Sequence, residues 1–192
     1  MNKEKAIKEL EDEITNCKKC ELCETRIKPL TDRGNLDAEV MLIGEAPGYH
    51  EDLTGRAFIG KAGEILNKLL NSINLAREDT YITSIVKCKP PHNNDPTDEQ
   101  INACKPYLDR QISIIQPKVL VPLGRFACAF VFEKYGLRKE RISEAHGKTY
   151  TVNSLFGCIK IIPQYHPSVA GYNANMMSTL LEDFKAFKRA IS

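Results

Sequence analysis

The sequence predicts an α/β protein with three layers, in which helices cover both faces of a central, mainly parallel sheet of four strands. Short apolar runs alternate along the chain with longer amphipathic stretches. The apolar runs are nearly continuous, as at 39–44, which is typical of strands buried on both faces. This alternation favours parallel strands joined by crossover helices. We expect a single domain over residues 1–192, because no linker, repeat or low-complexity segment interrupts the pattern.

The first half of the chain contains two predicted helices and two predicted strands. They are a helix over 3–15, a strand over 39–44, a helix over 60–73 and a strand over 80–88. Apolar residues at helical spacing support both helices. Ile7, Leu10 and Ile14 fall on one face of the first helix, and Leu66 and Leu70 fall on one face of the second.

The second half continues the alternation and closes with a helix. Its predicted elements are a helix over 95–115, a strand over 117–124, a helix over 125–135, a hairpin from 147–152 and 158–168 that leads into a further strand, and a helix over 173–190. Thr97 is the expected N-cap of the first of these helices, because Asp98 and Glu99 occupy its first turn. A hydroxyl cap and early acidic residues both stabilise a helix N-terminus.

Composition excludes several classes of protein. The 42% hydrophobic and 27% charged residues are ordinary for a globular protein. No apolar run is long enough for a transmembrane helix, and the charged start lacks the pattern of a signal peptide. We therefore expect a cytoplasmic protein without a membrane partner. The net charge of +2 permits a nucleic-acid partner without requiring one.

The segment NCKKCELC contains three of the seven cysteines, Cys17, Cys20 and Cys23. Clustered cysteines in a cytoplasmic protein bind metal more often than they form disulfides. Cys17 and Cys20 together with Cys88 and Cys104 would supply four thiolates, which suit zinc or a 4Fe-4S cluster. The run through Cys23 also matches half of a ferredoxin motif, in which Cys23 would be a ligand.

The remaining cysteines and three histidines are expected to have no role in a site. Cys128 and Cys158 lie in apolar runs and are predicted to be inert core residues. His50 and His146 are predicted to lie on the surface, and His92 in a loop near the site.

Two segments that follow predicted strands carry groups suited to catalysis, and ligand sites in parallel sheets lie at these strand ends. Glu45 follows the first strand in GEAPG and could accept a proton from water or balance a developing cation. His166 begins HPS, where Pro167 favours an extended backbone, so the imidazole could donate to a developing oxyanion. The ordinary alternatives are a solvated loop glutamate and a structural histidine.

Taken together, these motifs resemble those of the family 4 uracil-DNA glycosylases, which are iron–sulfur repair enzymes. The matching segments, from about residue 14 to residue 185, are Cys17-x2-Cys20-x-Leu22, GEAPGYHEDLTGRAFIGKAGEIL, YITSIVKCKPP, Cys104, PKVLVPLG and HPS. The resemblance implies a uracil-DNA glycosylase-like domain with an N-terminal cluster-binding segment. It also implies a monofunctional enzyme that flips uracil out of DNA, hydrolyses its N-glycosidic bond and starts base excision repair.

The resemblance further implies roles for particular residues. The implied residues are Glu45, His166 and Asn93 for catalysis, Ala46, Glu51, Phe58 and Ser84 for substrate binding, and Cys17, Cys20, Cys88 and Cys104 for a 4Fe-4S cluster, with Cys23 spare. Glu45 and the backbone of Ala46 would position the attacking water. Phe58 would stack on the flipped base, and His166 would stabilise negative charge on the uracil oxygen.

One position departs from the family pattern. The family usually has asparagine where this chain has Ser84. An amide offers a donor and an acceptor at once, whereas a hydroxyl is less directional. Either another group or a water replaces the amide, or the pocket also accepts other deaminated bases such as hypoxanthine and xanthine.

DNA is the expected partner, and a monomer is the expected state, with replication or repair proteins as further candidates. Phosphate contacts could come from Lys61, Lys87, Lys89, Arg125 and Lys148. The competing class is a metal-stabilised DNA-binding module without activity, with a ferredoxin-like redox role as a weaker alternative. Such a module would not need Glu45, Phe58 and His166 together.

Overall fold

The computed structural model describes residues 2–31, 34–154 and 157–191 and has the predicted α/β architecture in three layers. In the first half, the elements are α1 (Lys3–Thr15), α2 (Leu22–Thr25), β1 (Val40–Gly44), α3 (Tyr49–Thr54), α4 (Lys61–Ser72) and β2 (Thr80–Ser84). In the second half, they are α5 (Asp98–Ile115), β3 (Val119–Pro122), α6 (Arg125–Lys134), α7 (Ile142–Ala145), β4 (Tyr150–Ser154), β5 (Gly157–Ile161), α8 (Val169–Tyr172) and α9 (Met176–Ile191). Short 3-10 turns lie at Arg77–Asp79 and Pro91–Asn93.

The sheet has five strands in the order β2-β1-β3-β5-β4, so the predicted count of four is corrected. The first four strands of this order pair in parallel, and β4 adds an antiparallel edge through its hairpin with β5. The further strand that was predicted after the hairpin is not a separate element. The second strand of the hairpin, β5, is itself the fourth parallel strand. In the register between β1 and β2, Gly44 lies opposite Ser84, which brings both strand ends to one edge of the sheet.

Apolar residues of β1 alternate between two separate core layers, because successive side chains of a strand point to opposite faces. Met41 and Ile43 pack with α1, α5 and α6 on one face of the sheet. Val40 and Leu42 pack with α4 and α9 on the other face. This double burial explains why the strand lacks polar residues.

Helix α5 begins at the predicted cap. The Thr97 hydroxyl accepts a hydrogen bond from the amide of Gln100 at 3.2 Å, and the Gln100 side chain accepts one from the amide of Thr97 at 3.0 Å. The two residues thus satisfy each other's backbone donors in a capping box.

Strand β2 ends four residues earlier than its predicted end at 88. After Ser84, the amides of Ile85 and Val86 donate to the carbonyls of Gly44 and Glu45, each at 2.9 Å. The chain therefore follows the loop that leaves β1 and then turns away with Cys88, rather than continuing the strand.

The predicted placements of Cys158 and His146 were wrong. Cys158 is exposed rather than part of the core, because it faces the solvent side of β5 while Ile159 and Ile161 face the core. His146 is half-buried rather than on the surface, and its Nδ1 lies 2.8 Å from the carboxylate of Asp183. His50 and His92 are exposed and Cys128 is buried, as predicted.

No helix in the described part of the chain combines the length and the apolar character that a membrane span requires.

Candidate active site

A cleft of about 580 Å³ opens at the carboxyl ends of β1, β2 and β3. The structure brings to its walls all seven residues that the sequence singled out for catalysis or substrate binding, namely Glu45, Ala46, Glu51, Phe58, Ser84, Asn93 and His166. The parallel sheet explains this convergence, because the loops that leave its strands meet at one edge.

Phe58 lines the cleft and has an unusual backbone conformation. Its φ is 51°, in the left-handed region that residues other than glycine seldom occupy. The ring lies against the backbone of Gly44, where a Cβ atom would come within 2.6 Å of it. The Phe58 and His166 ring centroids are 5.5 Å apart, so the two side chains line adjoining parts of one wall.

Glu51 directs its carboxylate at the backbone of the cleft loops. Oε1 accepts hydrogen bonds from the amides of Ile59 and Gly60, both at 2.9 Å. Oε2 accepts from the amide of Gly48 at 3.2 Å, which is the side-chain-to-backbone half of a capping box at the start of α3. The carboxylate therefore ties the GEAPG loop to the loop that carries Phe58.

His166 is held as a neutral imidazole with a defined tautomer. Its Nδ1 accepts from the amide of Ser168 at 3.3 Å and lies 2.7 Å from the Ser168 hydroxyl, which places the ring proton on Nε2. Burial lowers the pKa of His166 to about 4, an effect that the charge of Glu51 only partly opposes. At neutral pH the ring is therefore an uncharged donor.

Gly124 allows this placement of the imidazole. It follows β3 with a φ of 89°, and a Cβ atom there would lie 3.0 Å from the Cβ of His166. Both the backbone conformation and the close approach favour glycine at this position.

Glu45 is a half-buried carboxylate that lines the cleft directly after β1. Burial raises its pKa, and the charge of Asp95 raises it further, while Arg125 acts in the opposite direction. Arg125 itself forms an ion pair with Asp95. Glu45 is therefore a stronger base than an ordinary surface glutamate.

The three other predicted residues of the cleft differ in burial. Ser84 is almost fully buried at the end of β2. Ala46 is half-buried directly after Glu45, and Asn93 is exposed in a left-handed conformation with a φ of 56°.

Sequence reasoning did not single out Tyr49, Ser168 or Tyr172, which also line the cleft. Tyr49 is 60% exposed and Tyr172 is 91% exposed, so both aromatic rings project into solvent at the rim. The sequence could have indicated these aromatic residues, because Tyr49 directly follows GEAPG and Tyr172 lies four residues after HPS.

A second cavity is lined by thiols. Cys17, Cys20, Cys23, Cys88 and Cys104 surround it at the junction of α1, α2 and α5 with the segment that follows β2. Arg26 fixes this junction, because its guanidinium donates to Cys88 Sγ at 3.1 Å and to the Cys17 carbonyl at 3.0 Å.

The chemistry of these thiols indicates what the cavity can hold. Burial raises the pKa of Cys88 to about 11 and also raises the pKa of Cys104. Soft, deprotonated sulfur ligands need a cationic partner at such a buried place. Among the described residues, no three His, Cys, Asp or Glu side chains converge closely enough to hold one metal ion.

Lys87 is buried between the thiols and the cleft, so its predicted contact with phosphate was wrong. Its ammonium donates to Thr83 Oγ1 at 2.8 Å, to the Ser84 carbonyl at 2.6 Å and to Gln111 Oε1 at 2.7 Å. A buried ammonium requires such partners, and Gln111 of α5 supplies one of them.

Comparison with known proteins gives a consistent result. The family model described as Uracil DNA glycosylase superfamily matches residues 31–191. A protein of Saccharolobus solfataricus named type-4 uracil-DNA glycosylase is 44% identical over 94% of this chain and 84% of its own length. A protein of the same name from Archaeoglobus fulgidus is 44% identical over 90% of this chain and 87% of its own length. Another of that name, from Thermotoga maritima, is 36% identical over 98% of this chain and 96% of its own length.

Proposed function

The chain belongs to the uracil DNA glycosylase superfamily, and from that premise we propose that it removes uracil from DNA. The uracil nucleotide leaves the base stack, enters the cleft, and water replaces the base at the deoxyribose. The products are free uracil and an abasic site, with which base excision repair begins. The observation that carries this proposal is that a carboxylate, an aromatic ring and a neutral imidazole meet in one cleft, as Glu45, Phe58 and His166.

Glu45 acts on the water and on the sugar. Cleavage of the N-glycosidic bond develops positive charge on the deoxyribose, which a nearby carboxylate stabilises. The raised pKa of Glu45 also suits it to accept hydrogen bonds from the attacking water, which the backbone of Ala46 helps to position.

His166 acts on the departing base. Negative charge develops on a uracil oxygen as the bond breaks, and the Nε2 proton is the donor that faces it. The lowered pKa of His166 supports a neutral donor, which stabilises the anion without transferring its proton.

Phe58 and the polar side chains hold the base. The Phe58 ring provides a stacking surface, since every base has a π face. Asn93 is the third catalytic residue, with Glu45 and His166, and lies in the exposed turn that lines the cleft. Glu51 fixes the loops that shape the pocket.

The proposed enzyme is monofunctional and leaves the DNA backbone intact. A lyase step needs an amine nucleophile. The described residues that line the cleft include no lysine, which supports hydrolysis alone.

The proposal includes a 4Fe-4S cluster held by Cys17, Cys20, Cys88 and Cys104, with Cys23 as a spare thiol. All four of these cysteines line the second cavity together, which supports this ligand set. The cluster supplies a rigid cross-link between the N-terminal segment and the sheet rather than redox chemistry. Arg26 already links Cys17 to Cys88 through its guanidinium.

The remaining features of the proposal concern the whole chain. The protein is a single cytoplasmic domain over residues 1–192 that acts as a monomer on single- or double-stranded DNA. Exposed Lys61 is available for phosphate, whereas Lys148 lies 3.2 Å from Glu140 and Arg125 pairs with Asp95. Such surface pairs are weak enough for DNA to compete with them.

A second candidate is a glycosylase with a broader range of deaminated bases. The observation that favours it is the buried Ser84, whose hydroxyl stands where the family usually presents an amide. On this hypothesis, Ser84→Asn raises the activity on uracil relative to hypoxanthine, and an unchanged ratio removes the support for it.

The experiment that tests both candidates uses labelled oligonucleotides that carry uracil, hypoxanthine, xanthine or no lesion. The protein, purified without oxygen, is expected to produce strand breaks at uracil only after alkali treatment. Cleavage before alkali would contradict the monofunctional assignment. Absence of cleavage at any base would favour the DNA-binding module.

A further inference from the structure

Arg77 contacts the backbone of Phe58 from outside the cleft. It lies in the 3-10 turn Arg77–Asp79 that precedes β2 and is not among the residues that line the cleft. Its Nη1 donates to the Phe58 carbonyl at 3.1 Å, and its Nη2 donates to the Ala57 carbonyl. Nη1 also lies 3.1 Å from Oδ1 of Asn67, which fixes the plane of the guanidinium.

The backbone on the other side of Phe58 is held by an opposite charge. The next two amides, those of Ile59 and Gly60, donate to one carboxylate oxygen of Glu51. The peptide groups around Phe58 are therefore fixed by a cation at their carbonyls and by an anion at their amides. Hydrogen bonds to charged groups are the stronger kind.

This clamp acts at a strained residue. The positive φ of Phe58 is unfavourable for a side chain with a Cβ, so the conformation persists only where its surroundings enforce it. Gly63 leaves room for this conformation, because a Cβ atom there would lie 1.9 Å from the Phe58 carbonyl oxygen. The direction of the ring thus depends in part on Arg77, which does not line the cleft.

We propose that Arg77 is a positioning residue for base recognition, which holds the Phe58 ring in its stacking orientation. The inference rests on the proposed function, because it assigns Arg77 to the capture of the flipped base. Arg77 acts only through Phe58. Without the guanidinium, the two carbonyls lose their donors, the peptide rotates toward an ordinary φ, and the ring leaves its place beside Gly44.

The test is a double-mutant cycle on single-turnover release of uracil. Arg77→Ala is expected to lower the rate roughly 10- to 100-fold, because it removes two hydrogen bonds from a charged donor. Arg77→Lys keeps the charge without the planar fork and is expected to fall between Arg77→Ala and the wild type. In a Phe58→Leu background, Arg77→Ala is expected to have almost no further effect.

Exposed Arg138, which is not among the residues that line the cleft, provides the matched control. Arg138→Ala is expected to retain the wild-type rate. Equal losses from Arg77→Ala in the wild-type and Phe58→Leu backgrounds would mean a general structural role and would overturn the inference. A wild-type rate for Arg77→Ala would overturn it as well.

A crystal structure of the Arg77→Lys variant, or of Asn67→Ala if that variant does not fold, separates this inference from the proposed function. A shifted Phe58 peptide supports positioning by Arg77, and an unchanged φ and ring contradict it. This readout holds even if the wild type releases no uracil, a result that would overturn the proposed function alone.

Discussion

The backbone of Gly44 lies close to the ring of Phe58, which lines the cleft. A Cβ atom at Gly44 would lie 2.6 Å from the ring and 3.2 Å from the hydroxyl of Ser84. Neither neighbour can move far, because Ser84 belongs to the sheet and the Phe58 backbone is bound on both sides. An added methyl group must therefore displace the ring.

Gly44→Ala is expected to reduce the rate of uracil release roughly 10- to 100-fold, since small misplacements in an active site have effects of this size. Gly171→Ala is the matched control, because nothing lies within 4 Å of a Cβ atom there. Single-turnover rates of the two variants check the prediction. Similar rates for both would show that the ring does not depend on this contact.

The pH dependence of the rate distinguishes the roles of Glu45 and His166. Glu45 must be ionised, so the rate is expected to fall with falling pH through its raised pKa. His166 has a pKa of about 4 and stays neutral above that value, so it contributes no step near its ordinary pKa of about 6.5.

His166→Gln is expected to lower the rate roughly 100- to 1000-fold at neutral pH and to leave the acid limb of the profile in place. The measurement is the rate of each protein from about pH 4 to about pH 9, which covers the ordinary pKa values of Glu and His. A limb near pH 6.5 that disappears in His166→Gln would mean that the imidazolium is the active form.

At the level of elements, helix α5 connects the two cavities. Cys104 faces the thiols from its first half, and Gln111 accepts from Lys87, which also holds the Ser84 carbonyl. The cap at Thr97 fixes where this helix begins. Because Thr97 lines neither cavity, a change at the cap is expected to act on stability rather than on the chemistry.

Thr97→Ala is expected to cost about 1 kcal/mol of unfolding free energy, with a drop in Tm of about 2–4 °C. Thr97→Ser retains the accepting oxygen and is expected to remain close to the wild type. Thermal unfolding monitored by circular dichroism checks both variants. Equal losses for alanine and serine would contradict the capping role.

The elements that sequence predicted well are those whose pattern is local. The periodicity of α1 and α4, the buried run of β1 and the cap of α5 each need only neighbouring residues. The short helices α2, α3, α7 and α8 were not predicted, because four to six residues are too few to show a period. The end of β2 depends on bonds to the carbonyls of Gly44 and Glu45, which are distant in sequence.

The site shows the same division between local and distant causes. The seven residues that the motifs singled out line one cleft, since strand ends meet at one edge of a parallel sheet, and their roles stay predictions. The burial of Lys87 could not be predicted, because its partner Gln111 lies 24 residues away on α5. The clamp on Phe58 was equally hidden, since Arg77 contacts it across 19 residues.

At the scale of the whole molecule, the thiol cavity joins the N-terminal segment to the rest of the chain. Cys17 and Cys20 come from that segment, whereas Cys88 and Cys104 come from the sheet edge and α5. A group bound by all four closes a long loop of the chain, which is the situation in which a cross-link stabilises most.

Cys104→Ala is expected to lose the iron and the visible absorption of the purified protein. Cys128→Ala is the matched control, because Cys128 is equally buried but lies outside the thiol cavity. Cys23→Ala is expected to retain iron as well. Iron content and absorption spectra decide the assignment, and loss of iron in Cys23→Ala would make Cys23 a ligand.

The most direct measurement of the central claim is mass-spectrometric detection of free uracil after one turnover on a uracil-containing oligonucleotide. The wild type is expected to release one uracil per site and leave the strand intact, and Glu45→Gln is expected to release it roughly 100- to 10,000-fold more slowly. Because glutamine is nearly isosteric with glutamate, the comparison tests the charge rather than the shape of the cleft. Equal rates for the two proteins, or an absence of free uracil from the wild type, would contradict the account.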